Sequence, residues 1–322
     1  MNERTPMFDG KVVIVTGAGG GIGRSHALAM AAQGARVVVN DPGGDVHGGG
    51  STNVAQEVVD EIVAAGGEAV ANVSSCADFA AAEAMVQQAI DTYGGLDILV
   101  NNAGILRDRT IFNMTEDEWD AVIHVHLKGH FAPTRHACAY WRAESKAGRP
   151  RTGRVISTSS QTGLFGNPGQ ANYAAAKGGI ASFTQVVAME MARFGVTVNA
   201  IAPAARTRMS EPLIGGAPEG LDTMAPENVS PIVVWLASDD AHWVTGQVFH
   251  MMGGRCDRLE GWRIAATRTR TGRHWVPEEM ADAVRALYGV FPGGIGGALG
   301  AEEAVAATGI GQARLNKTTQ QG

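Results

Sequence analysis

Residues 11–16 read KVVIVT, an apolar run bounded by Lys11 and Thr16, and the next seven are Gly17-Ala18-Gly19-Gly20-Gly21-Ile22-Gly23. A run without alternating polar positions suits a strand buried on both faces, as in a parallel sheet covered by helices. The glycines permit a tight turn and close approach of a ligand to the backbone. A helical pattern from about residue 22 to residue 33 follows, so the turn opens onto a helix N-terminus. Unpaired N–H groups and the helix dipole favour a phosphate there. A glycine run by itself is only a flexible loop. Strand, glycine turn and helix in succession form the context that a nucleotide site requires.

The pattern repeats. Residues 35–41 form a second buried run ending in Asp41, 24 residues after Gly17. A carboxylate at the end of this strand can bind both ribose hydroxyls of NAD and repel the 2′-phosphate of NADP. Read otherwise, Asp41 is a turn residue before Pro42, and Arg24 and Arg36 are cations that would attract a phosphate. A glycine-rich loop over 42–52, a helix over 53–65 and a strand over 68–73 follow. Further helices are expected over 78–93, 116–140, 170–194 and 226–238, with strands over 96–100, 153–159, 196–201 and 246–250. Such alternation predicts an α/β protein with a doubly wound, seven-stranded, mostly parallel sheet and helices on both faces. Asn101-Asn102-Ala103-Gly104 closes the fourth strand with small residues at the carboxyl edge, where such sheets bind cofactors; its bland reading is an Asn/Gly turn.

Tyr173 and Lys177 stand four residues apart on the helix expected over 170–194, so both side chains share one face. An ammonium held there would favour the phenolate. Bringing tyrosine from about 10 to about 7 needs about 3 units, roughly 4 kcal/mol. Ser160, thirteen residues before the tyrosine at the end of a strand, can hold the oxygen that exchanges a proton with it. As an isolated pair, Tyr173 and Lys177 also fit a plain helix surface.

Composition narrows the class. A net charge of −6 gives no footprint for nucleic acid, and no apolar run approaches the length of a membrane span. Cys76, Cys138 and Cys256 lack metal-ligand or redox spacing and read as thiols in a reducing compartment, which points to a cytoplasmic protein.

TGAGGGIG (16–23), NNAG (101–104), Ser160 and YAAAK (173–177), in this order, resemble the short-chain dehydrogenase/reductase family over roughly residues 8–254. VVVNDPGG (37–44), NNAGILRDR (101–109), WDAVIHVHLKGHF (119–131) and GNPGQANYAAAK (166–177) are similar to the (3R)-hydroxyacyl-CoA dehydrogenase domain of peroxisomal multifunctional enzyme type 2 and its stand-alone bacterial relatives. The resemblance implies a Rossmann-type fold, NAD as cofactor, Tyr173 as general base, Lys177 on the nicotinamide ribose and Ser160 on the substrate oxygen. It also implies cofactor contacts by Gly17, Gly21, Ile22, Gly23, Asp41, Asn72, Val73, Asn102, Ala103, Gly104, Pro203 and Thr207. A homodimer or homotetramer is implied as well. His126 falls where the wider family carries a catalytic asparagine. It reads either as a group that orders water or relays protons, or as a packed structural imidazole. Ala204 departs from the Pro-Gly common after the sixth strand.

Residues 206–222 fall where the family keeps a mobile lid over the substrate. Residues 255–322 are expected as a C-terminal extension: a basic segment, a helix over 277–288, and a Gly/Ala-rich mobile tail over 293–322. Six arginines in 255–273 would suit the phosphates of an acyl-CoA, as would Arg107 and Arg109; read otherwise, the segment is a solvated tail or a subunit contact. The expected activity is oxidation of a 3-hydroxyacyl-CoA. Oxidation of a free hydroxysteroid or other secondary alcohol, and non-catalytic nucleotide binding, are the rivals.

Overall fold

The computed structural model describes residues 6–43, 53–207, 209–211 and 215–288. It falls into two compact units, 1–259 and 260–322. In the first, β1 (Val12–Thr16), β2 (Arg36–Asn40), β3 (Glu68–Asn72), β4 (Ile98–Asn101), β5 (Arg154–Thr158), β6 (Thr197–Ala204), β7 (Val248–Met252) and β8 (Arg255–Leu259) form one sheet. Its order is β3-β2-β1-β4-β5-β6-β7-β8. The first seven strands are parallel to their neighbours, and β8 returns antiparallel to β7. The Rossmann-type fold expected from the sequence is present, with eight strands in place of seven.

The additional strand lies in the segment assigned above to the extension, so the sheet runs five residues beyond Gly254. Its sequence, Arg-Cys-Asp-Arg-Leu, looks like a solvated tail because an edge strand faces water along much of its length. Arg255 pairs with Asp257 at 2.7 Å, and the same carboxylate takes the buried His250 at 3.1 Å.

Side chains alternate through the sheet and feed two cores. Val13, Val15, Val37 and Val39 pack against α1 (Gly21–Ala31), α2 (Val54–Ala64) and α8 (Ser230–Ala237) through Met30, Ile62 and Leu236. Val12, Ile14 and Val38 face α3 (Phe79–Tyr93), α5 (Gly129–Lys146) and α7 (Ala171–Met191) through Met85, Trp141 and Met191. Trp141 is fully buried, and its indole N–H donates to the Leu96 carbonyl at 2.7 Å.

The expected single helix over 116–140 is divided. α4 (Glu116–Ile123) starts with a reciprocal cap in which the Glu118 amide donates to Thr115 Oγ1 and the Thr115 amide to the Glu118 carboxylate. A π turn, His124–Lys128, then widens the helix before α5. Such turns re-aim side chains, and this one delivers His126 to the interior. α6 (Gln161–Phe165) is a short helix between β5 and α7.

In the second unit, α9 (Pro277–Tyr288) carries Glu279, which accepts from Arg270 and Arg273. The distal part of the 42–52 loop, residues 208 and 212–214 of the expected lid, and the 293–322 tail lie outside the described residues.

Candidate active site

Because seven strands run parallel, their carboxyl ends share one edge, and the sequence motifs converge there. Gly17 follows β1 with φ of +62°, a conformation that side-chain-bearing residues rarely adopt. A Cβ at Gly17 would lie 2.7 Å from Ala103 Cα, so the glycine turn and the Asn102-Ala103 backbone are in direct contact. At Gly23 a Cβ would intrude on the Gly17 carbonyl and the Asn102 amide. Thr207 stands beside Gly21, where a Cβ would lie 3.3 Å from its methyl group.

The end of α1 fits a phosphate. Its N-cap, Gly20, provides no side-chain cap, and its first turn contains no acid. The first amides are therefore available to an anion instead of being satisfied by the chain. Asp41 closes the other side of this cradle. Its carboxylate accepts from the Gly19 amide at 2.9 Å and the Gly43 amide at 2.9 Å, and each oxygen keeps a lone pair for a ribose hydroxyl. Arg24 is paired with Glu61 at 2.5 Å and Arg36 with Glu68 at 3.4 Å. Asn72 is engaged by Asn40 and Gln88, while Val73 is exposed at the strand end.

Tyr173 and Lys177 lie one turn apart on α7 as the spacing requires. Lys177 Nζ sits 5.5 Å from the centre of the tyrosine ring and donates to the Thr158 carbonyl at 2.6 Å. Ser160 begins α6, accepts from the Thr162 amide at 3.2 Å and stands near enough to the Tyr173 hydroxyl to favour the phenolate. The ring of His126 meets that of Tyr173 edge-on, with centres 5.1 Å apart.

The electrostatics depart from the simple expectation. Tyr173 is half-buried as a residue, and burial around its hydroxyl pushes the phenol up to about 12; the Ser160 side chain opposes this and the Asp108 carboxylate adds to it. Burial also pulls the Lys177 ammonium down to about 7. Desolvation therefore acts on both members of the pair, and the lysine does not act as an undiminished charge. At neutral pH the folded chain keeps Tyr173 protonated, as a proton donor to a carbonyl oxygen must be. His126 is held well below the usual imidazole range by burial and by nearby Lys177, so it is neutral.

Some contributors carry no sequence signal of their own. Thr16 Oγ1 accepts from the amides of Asn102 at 3.0 Å and Ala103 at 3.2 Å, joining the β1 turn to the β4 turn. Asn172 is fully buried beside the tyrosine and donates to the carbonyls of Arg107 at 2.9 Å and Glu118 at 3.0 Å. A polar residue next to Tyr173 on the buried side of α7 is the one available hint. The arginines of 255–273 are largely engaged within their own units: Arg255 with Asp257, Arg258 with Gln247, Arg268 with the Ala286 carbonyl, and Arg270 and Arg273 with Glu279. Burial raises the thiols of Cys76 and Cys138 to about 12, which removes them as nucleophiles at neutral pH.

An arrangement of this kind defines an oxidoreductase that acts on a CH–OH group. The chain belongs to the short chain dehydrogenase family, whose model matches residues 11–214. Members of that family generally bind a nicotinamide cofactor. The chain is 44% identical to the hydroxyacyl-CoA dehydrogenase ChsB1 of Mycobacterium tuberculosis, over 88% of this chain and 90% of that one. It is 42% identical to the peroxisomal multifunctional enzyme type 2 of Mus musculus, over 85% of this chain and 36% of that longer protein. A solved short chain dehydrogenase from Mycobacterium avium superimposes with a TM-score of 0.79 and 59% identity, covering 87% of this chain and 95% of the other. Among the described residues no helix is long and apolar enough to cross a membrane.

Proposed function

We propose that this protein is a NAD-dependent dehydrogenase that converts a 3-hydroxyacyl-CoA to the 3-oxoacyl-CoA. The observation carrying the reading is that Ser160, Tyr173 and Lys177 meet at the sheet edge that also bears the glycine cradle and Asp41. The names of the Mycobacterium tuberculosis and Mus musculus relatives support the substrate class.

NAD, when bound, supplies the hydride acceptor. The α1 amides hold its phosphates, and Asp41 takes the adenosine ribose hydroxyls. Val73 and Asn72 border the adenine, with Asn102, Ala103 and Gly104 at the ribose and Pro203 and Thr207 at the carboxamide. Asp41 also sets the choice against NADP, because the two arginines that would welcome a 2′-phosphate are already paired with glutamates.

In the oxidative direction the substrate C–H leaves as hydride and Tyr173 removes the hydroxyl proton; in reduction the same phenol returns it. Ser160 donates to the substrate oxygen as charge develops there. Lys177, fixed by Thr158, lies beneath the tyrosine and holds the ribose. His126 acts by packing against the tyrosine ring and holding the loop after β4. The protein is expected to work in the cytoplasm as a homo-oligomer.

The test is steady-state turnover of (3R)- and (3S)-hydroxyacyl-CoA and of a free hydroxysteroid, each with NAD and NADP. Selective oxidation of one thioester stereoisomer with NAD is expected, lost in Tyr173→Phe with nucleotide binding intact. Turnover of the free alcohol but of no thioester would refute the substrate class. Full activity in Tyr173→Phe would refute the assigned base.

A further inference from the structure

The helix that carries Tyr173 begins in an unusual way. Its N-cap is Gln170, whose side chain makes no bond to the helix's own first amides. The usual capping residues satisfy one of those donors. Here the side chain points across to another element. Gln170 Nε2 donates to both carboxylate oxygens of Asp108, at 3.0 and 2.9 Å, 62 residues away on the loop after β4. Its Oε1 accepts from Thr162 Oγ1 at 3.2 Å and from Asn167 Nδ2 at 2.7 Å. Gln170 is 5% exposed while Asp108 reaches it from the exposed side, so the pair lies at the border of the interior.

The connections continue to both reacting side chains. Thr162, which donates its hydroxyl to Gln170, donates its amide to Ser160 Oγ. The Gln170 carbonyl accepts from the Ala174 amide at 2.7 Å, in the turn containing Tyr173. The Arg109 amide donates to the Gly169 carbonyl at 2.8 Å, so the backbone beside the pair is tied as well. Removing the pair would thus loosen α6 and the start of α7 together.

We propose that Asp108 and Gln170 form one positioning unit, which aims Ser160 and Tyr173 at the same substrate oxygen by joining the loop after β4 to α6 and α7. The inference rests on the catalytic reading above but not on the identity of the alcohol. Both are assigned as positioning residues, acting through Thr162, Ser160 and the first turn of α7. Misplacement of a reacting group by about 1 Å costs about a hundredfold in rate. Asp108 also places a carboxylate near the phenol, which faces Lys177 from its own helix and His126 from the π turn.

Three full-length variants test this: Asp108→Asn, Gln170→Glu, and the two combined. Each is assayed with whichever secondary alcohol the unaltered protein oxidises, so a wrong substrate class shows in the parent alone. Gln170→Glu sets two carboxylates face to face, and kcat should fall about tenfold to a hundredfold with KM for the nucleotide unchanged. The combined variant restores an amide–carboxylate pair in reverse, and kcat should return to within about threefold of the parent. Asp108→Asn keeps the shape without the charge, so the apparent pKa of the oxidative limb should fall by about half a unit to one unit. Parental kcat in Gln170→Glu would overturn the proposal. So would a folded combined variant no better than Gln170→Glu, or a pH profile for Asp108→Asn that does not move.

Discussion

The imidazole Nε2 of His126 lies 2.7 Å from the Ile105 carbonyl oxygen and 3.0 Å from the Ile105 amide nitrogen. Either neutral tautomer satisfies one of these groups, so the ring holds the loop after β4 whichever nitrogen carries its proton. Its Nδ1 is buried, with no hydrogen-bond partner among the described residues. His126→Ala should cost about 1–3 kcal/mol in denaturant unfolding, through the unsatisfied Ile105 groups and the lost ring contact. It should also lower kcat more than the KM for nucleotide. A variant as stable as the parent would contradict this role.

The glycine cradle has no room at Gly23. An alanine there would drive its methyl group into the Gly17 carbonyl, parting the turn from α1. Gly23→Ala should lose about 1–3 kcal/mol of stability from overpacking and weaken NADH binding by at least about tenfold. Fluorescence titration of NADH and thermal melting measure both. Unchanged affinity would mean that the phosphate lies elsewhere.

The proposed reading makes Asp41 the residue that decides between the two nicotinamide cofactors. Asp41→Ser removes a charged acceptor worth about 1.5–3 kcal/mol, so the KM for NAD should rise by about tenfold or more. The KM for NADP should fall, because the repulsion of a 2′-phosphate is lifted. If the ratio of the two stays constant, Asp41 does not read the ribose.

Two buried histidines should make the protein sensitive to acid. Burial pulls His26 and His130 down to about 3, so both are neutral in the fold well below pH 6.5. The unfolded chain takes up those protons from pH 6.5 downward. Stability is therefore intact above pH 6.5 and falls progressively toward pH 3. Between pH 6.5 and 4.5 the loss should be about 2–3 kcal/mol per histidine. His26 bonds Ser230 Oγ at 2.9 Å beneath α8, and His26→Gln should flatten the slope measured by urea unfolding at several pH values. An unaltered slope would assign the acid response to other groups.

Much of the site is legible in the chain because its logic is local. The apolar run before Gly17, the position of Asp41 after β2 and the one-turn spacing of Tyr173 and Lys177 each follow from periodicity over a few residues. β8 is not legible in that way. Charged residues on an edge strand resemble a tail until a partner strand lies alongside them, which here is β7. The π turn at His126 is similarly silent, since its neighbours read as continuous helix.

The sequence by itself determined the doubly wound sheet, the glycine turn after β1 and the one-turn spacing of Tyr173 and Lys177, because side-chain period and backbone permissiveness act within one or two turns of chain. Tertiary structure alone decided which forces act on those residues. The phenol of Tyr173 rises and the ammonium of Lys177 falls because desolvation depends on every element packed around them. The pairing of Asp108 with Gln170 likewise exists only once β4 and α7 are brought together by the sheet, across a separation that no local pattern spans.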